Sequence, residues 1–240
     1  MHSEECPSVE TEGNRRGFLR STAGVAGLVL GGASMAHARS PRAQNHHPRP
    51  TQPPGQGNGI HNRLPELYPS WNKINFGQIR TDENAHVSFL VAALGAAARP
   101  KPNFQNLEQP DVFSFAKTSF VLENTGVGAY LGAAPAILDK GYLAAAGSIL
   151  TIEARHSGYL GTLLDATPDL FMHSFDNPDS FQNLLNNAAP FIVDLNGGPP
   201  IAFDMNHPSD ANDIAILNVA LALEYLERDF YNINVAKFFP

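Results

Sequence analysis

Cysteine is almost missing from this chain: its 240 residues contain one, Cys6. That residue precedes the segment that the sequence marks for removal. The remainder can therefore have neither a disulfide nor a thiolate metal site. Any metal held there must be gripped by carboxylate oxygens and imidazole nitrogens. Charge is scarce as well, at 16% against 43% hydrophobic residues, with a net charge of −7. No basic run occurs beyond the N-terminus, which argues against a nucleic-acid partner. Alternating Val/Ile/Thr stretches are few and Ala-rich, Leu-containing ones many, so an all-α protein with one main domain is expected.

A long hydrophobic run is also wanting. Ser21 to Ala36 is free of charge but is 16 residues long, short for a membrane span. It follows Asn14-Arg15-Arg16-Gly17-Phe18-Leu19-Arg20, which resembles a twin-arginine export motif, and it ends in the small-x-small pattern Ala36-His37-Ala38. Residues 1–38 are thus read as an export signal, with a mature start at or near Arg39, no stable membrane span after cleavage, and a periplasmic or secreted destination. Residues 39–70 read as a Pro/Gly-rich disordered linker, in which His46 and His47 are solvated rather than metal-bound.

What the sequence does hold is a set of acids placed where apolar side chains belong. Residues 71–240 form the expected domain, with four segments of helical period. Roughly 75–98 carries the stripe Ile79, Glu83, His86, Leu90, Ala93. Roughly 112–130 carries Ala116, Phe120, Glu123, Val127, Tyr130, with Gly126 and Gly128 beside the acid. Roughly 140–164 carries Ala146, Ile149, Glu153, His156, Leu160, Leu163. The last, 209–235, is capped by Ser209 or Asp210 and carries Leu217, Ala220, Glu224, Glu227, Tyr231. Between the third and fourth, 165–207 is rich in Asn, Pro and Gly and is expected to run irregularly over the surface.

A lone acid on such a stripe commonly reaches solvent at the helix edge, and a lone histidine is commonly a hydrogen-bonded core residue. The set argues otherwise. Glu83-x-x-His86 and Glu153-x-x-His156 lie on two helices, and Glu123 and Glu224 lie on the other two, which is the pattern of a di-metal carboxylate bundle. Positions i and i+3 face the same side of a helix, so one carboxylate and one imidazole can grip one ion. Four buried carboxylates would repel one another without a counter-charge, and two divalent cations would neutralise them. Competition from imidazole protonation is expected to weaken binding below roughly pH 6.

Four stretches resemble the ferritin-like family of desiccation-related and stress proteins. They are Thr81-Asp82-Glu83-Asn84-Ala85-His86-Val87-Ser88-Phe89-Leu90, Leu122-Glu123-Asn124-Thr125-Gly126 with its continuation to Gly132, Ile152-Glu153-Ala154-Arg155-His156, and Ile216 to Glu227 followed by Phe230-Tyr231. The resemblance implies a ferritin-like four-helix bundle. The Leu-Glu-Tyr-Leu-Glu helix, first in that family, is last here. The chain is therefore circularly permuted, or its last helix is swapped into another copy. Glu224 is taken as the ligand because Tyr231 follows seven residues on, as in ferritin-type first helices. Glu227 is the alternative ligand, and both Glu227 and Tyr231 could support the ligands from behind.

The resemblance further implies two Fe ions (alternatively Mn), with O2 or peroxide as reaction partners. An oxidase or ferroxidase role in envelope stress follows, or a manganese catalase-like one. A non-catalytic stress protein with a stabilising or vestigial site is the competing reading, and a homo-oligomer is compatible with either. Fold alone does not choose among these.

Overall fold

The computed structural model describes residues 63–164 and 174–240. The export signal, most of the tether and the start of the connector lie outside the described residues. Among the described residues there are five α-helices: α1 (Trp71–Leu94), α2 (Val112–Ala133), α3 (Lys140–Leu163), α4 (Phe181–Ala188) and α5 (Asp210–Phe238). Four begin at a side chain that accepts a backbone N–H of the first turn: Asp111 from Ser114, Asp139 from Tyr142, Ser180 from Asn183 and Ser209 from Asn212. Asp210 and Asp213 in the first turn of α5 add favourable charge at its positive end.

Both ends of α1 differ from the expected ones, and α2 and α5 each run three residues further than expected, to Ala133 and Phe238. α1 starts at Trp71 rather than near 75, because Trp71 and Phe76 are drawn into an aromatic cluster. Trp71 meets the ring of Tyr159 edge-on at 5.2 Å, and Phe76 lies 4.9 Å from Phe115. The same helix stops at Leu94 rather than 98, because Gly95 turns to φ 54° and its N–H closes on the Val91 carbonyl. Leu64, assigned to the tether, is buried against the core.

α2 and α3 form a hairpin, and α1 pairs with α5. The second pair is antiparallel. Lys73 reaches the Pro240 carbonyl, Asn84 bonds Asn232, and Arg99 bonds Asn218. The last helix therefore closes on the first within one chain. The apolar core falls into two clusters. One gathers Phe76, Phe115, Leu160, Phe230 and Tyr231; the other gathers Leu90, Tyr130, Ile149, Leu217 and Leu221. On each of the four long helices the acids on the core stripe lie between these clusters, so apolar packing closes the acid layer from both ends.

The connector is more ordered than its composition suggested. Among its described residues it forms α4, and then β2 (Ile192–Asp194), which pairs antiparallel with β1 (Asn103–Phe104). It is tied to α2 by the Asp179 N–H, which donates to the Gly128 carbonyl at 3.0 Å. A Cβ on Gly128 would lie 2.5 Å from that of Asp179, and one on Gly132 would lie 2.9 Å from the Asp179 carbonyl oxygen. These two glycines mark where the chain crosses α2. Buried Arg99 holds the far end, donating to the carbonyls of Pro199 and Asn218.

The crossing gives a test with an internal control. Gly128→Ala should lower stability by about 1–3 kcal/mol through overpacking. Gly147→Ala on α3, where nothing lies within 4 Å of the new methyl, should raise it by about 1 kcal/mol through helix propensity. Urea denaturation of the two variants checks the opposite signs.

Candidate metal centre

All six residues singled out by spacing converge, and they do so as two overlapping groups. Glu83, His86, Glu153 and Glu224 each offer an atom within 4.8 Å of the others; so do Glu83, Glu123, Glu153 and His156. Glu83 and Glu153 belong to both groups. They would share the holding of metal with Glu224 and His86 in one group and with Glu123 and His156 in the other. The carboxylate side chains are 0–2% exposed and the imidazoles 8–10%.

The contacts obey a local two-fold. His86 Nδ1 lies 3.3, 3.2 and 3.2 Å from Glu83, Glu153 and Glu224 oxygens. His156 Nδ1 lies 3.1 Å from both Glu83 and Glu123. The Tyr130 hydroxyl donates to Glu224 Oε1 at 2.5 Å, and the Tyr231 hydroxyl donates to Glu123 Oε1. Each tyrosine sits seven residues after one of Glu123 and Glu224 and holds the other. Tyr130 was read as a stripe residue. The signal for its role was that Glu-x6-Tyr occurs twice, at 123/130 and at 224/231.

The symmetry is incomplete, and the position three residues after each of these two glutamates is one place where it breaks. Three residues after Glu123 stands Gly126, where a Cβ would lie 2.8 Å from Glu153 Oε2. Three residues after Glu224 stands Glu227, which is buried beside the cluster but belongs to neither group of four. Gly126 clears space for Glu153, while the matching place on α5 is filled by another acid. Asp82 is a further residue that spacing did not single out. Its Oδ2 lies 3.2 Å from His156 Nε2, the ring nitrogen turned away from the cluster. A carboxylate behind a histidine fixes the ring and strengthens its donor nitrogen.

Electrostatics set the site against its own protein. Burial, then the Glu153 charge, pushes Glu83 up to about 7, against the lowering effect of both imidazoles. Burial likewise raises Glu123, and raises Glu153 and Glu227 strongly, with neighbouring carboxylates adding to the shift in each. His156 goes the other way from a buried base: burial lowers it, but Glu123 and Glu83 outweigh that and push it up to about 11. His86 is raised by Glu153, Glu224 and Glu83 over the same opposing burial. Protons thus stand in for cations. The raised imidazoles hold their protons more tightly than free ones, which moves their competition with a metal to higher pH than the expected limit near 6.

Fit to metal can be judged from the oxygens. Glu83 Oε1 and both oxygens of Glu153 are fully buried and accept no hydrogen bond, although imidazoles lie within ion-pair distance. Buried carboxylates left this way cost free energy unless a cation takes the lone pairs. A set of carboxylates and imidazoles without sulfur suits Fe or Mn. If the tyrosines hold Glu224 and Glu123, Tyr231→Phe should weaken binding of one ion about 10- to 100-fold and leave the fold intact, as titration with Mn(II) would read.

Residues 51–166 match the family of the ferritin-like domain. The match includes five of the six converging residues and ends before Glu224 on α5. No curated protein and no solved structure matches the chain.

Proposed function

We propose, on the premise that residues 51–166 match the ferritin-like domain, that the chain is an exported protein that binds two Fe or Mn ions and oxidises Fe(II) with O2 or peroxide, protecting the cell envelope under stress. The observation that carries this reading is the pair of four-residue groups sharing Glu83 and Glu153. The paired ions would supply two electrons, one each, to dioxygen or peroxide. The chain's own part is to place and insulate them. Glu83 and Glu153 hold both positions together, and His86 and His156 supply one nitrogen to each. Tyr130 and Tyr231 keep Glu224 and Glu123 turned inward, and the two apolar clusters keep bulk water from the layer.

The export half of the proposal rests on Arg15 and Arg16 and the small-x-small site at Ala36-His37-Ala38. Replacing both arginines by lysine should retain the protein in the cytoplasm. Mass spectrometry of exported protein should find a start at or near Arg39. Recovery of residues 1–38 on exported material would refute the cleavage.

Complete burial of the carboxylates favours one other reading, in which ions tying four helices together serve as a staple for a stress protein. Metal-free protein given Fe(II) in air or peroxide separates the two. Oxidation faster than in buffer, with two ions bound per chain, supports the oxidase. Inert protein whose melting temperature alone rises with metal supports the staple. Protein that binds no metal overturns both.

A further inference from the structure

The buried layer needs a way in, and the surface offers one beside His156. A pocket of about 270 Å3 opens between α1 and α3, lined by Asn75, Gln78 and Asp82 on one side and Ile152, Arg155, His156 and Tyr159 on the other. His156 spans its floor: Nε2 lies 3.2 Å from Asp82 Oδ2 at the pocket wall, while Nδ1 lies 3.1 Å from Glu83 and Glu123 in the cluster. One imidazole therefore separates the pocket from the centre. Asp82 is 28% exposed at its side chain and is steadied by the Gln78 amide at 2.7 Å. We propose that this pocket is the port through which a divalent cation reaches the centre, with the water-accessible Asp82 carboxylate as the first group to receive it.

The chemistry suits that task. Asp82 offers an oxygen that water can reach, the Gln78 and Asn75 side chains line the approach, and the His156 ring alone lies between that oxygen and the cluster. Arg155, exposed at the mouth, opposes a cation. Removing either charge should therefore change the rate in opposite directions. The proposal rests on the metal-binding reading, and its test separates the two. Full-length metal-free protein is mixed with Co(II), and the visible absorption of bound cobalt is followed in time and at equilibrium.

Asp82→Asn should slow loading about tenfold, since local charge governs the association of small ions. Ile152→Trp should slow it by filling the pocket, and Arg155→Gln should speed it. Ile152→Trp and Arg155→Gln, which touch no proposed ligand, should reach the wild-type stoichiometry and final spectrum. Loading at the wild-type rate in both Asp82→Asn and Ile152→Trp overturns the port. Asp82→Asn that loads normally but releases cobalt faster also overturns it, reducing Asp82 to a residue that positions His156. Wild-type protein that takes up no cobalt fells the metal-binding reading and the port with it. Circular dichroism of Ile152→Trp confirms its fold, and Asp82→Asn keeps the test decisive if that variant misfolds.

Discussion

Glu153→Gln should cost the protein both of the ions proposed for it, whereas Glu123→Gln should cost it one. The difference follows from membership: Glu153 lies in both groups of four, and Glu123 lies in one. An amide lacks the charge and the second anionic oxygen with which Glu153 could bridge, so each position loses a third of its carboxylates at once. The same change should stabilise the metal-free protein. Glu153 is fully buried with no hydrogen bond to either oxygen, and whenever it ionises it adds to the repulsion among the carboxylates around it; a neutral isostere removes that cost, most of all at high pH. Elemental analysis and calorimetry on the same sample check the pair of effects. A variant that keeps one ion would overturn the bridging role. One that melts lower without metal would show that burial of the charge is not the cost it is argued to be.

The second large effect is a reversal of pH dependence by metal. Glu83 has a folded pKa raised from 4.5 to about 7, so its contribution to stability is full below 4.5 and is lost as pH rises through 7. Its size is on the order of 3 kcal/mol. Glu123, Glu153 and Glu227 shift in the same direction. His156, raised from 6.5 to about 11, contributes stability that is full below 6.5 and is lost as pH climbs through 11. Acids and bases thus agree in sign, and metal-free protein should melt progressively lower from pH 5 to pH 8. Metal must displace these protons, so its affinity rises with pH and the melting temperature in excess Mn(II) should climb instead. Melting curves at pH 5, 6, 7 and 8, with chelator and with Mn(II), should diverge. Parallel curves would mean that the ions do not replace the protons of this cluster.

The centre was legible because the helical period is rigid. Glu83, His86, Glu153 and His156 sit at i and i+3 on stripes that must face inward, and Glu123 and Glu224 replace apolar residues on theirs. Which acids could bridge was not legible, because that depends on how four helices rotate against each other. Asp82 was hidden for a different reason. It lies off the stripe and acts through His156, 74 positions away. α4 was missed although Phe181, Leu184, Leu185 and Ala188 follow helical spacing behind Ser180. Asn183, Asn186 and Asn187 were weighed as loop formers, whereas packing on α2 overrides their propensity. The choice of Glu224 over Glu227 rested on the seven-residue step to Tyr231. The structure places Glu224 within a group of four and leaves Glu227 outside both, though Tyr231 bonds Glu123 rather than Glu224.

Closure of the last helix on the first has a consequence for the order of events during synthesis. The α2–α3 hairpin forms from neighbouring sequence and brings Glu123, Glu153 and His156 together early. His86 and Glu224, by contrast, meet across 138 positions. Pairing over such a separation is slow, because loop-closure entropy is lost before any contact rewards it. A nascent chain stopped before Asp210 therefore holds at most a partial metal site, with the Glu224 carboxylate missing. High-affinity loading must wait for the whole polypeptide to leave the ribosome and fold. On the proposed reading, a chain folded before export would have its metal site closed in the compartment it leaves.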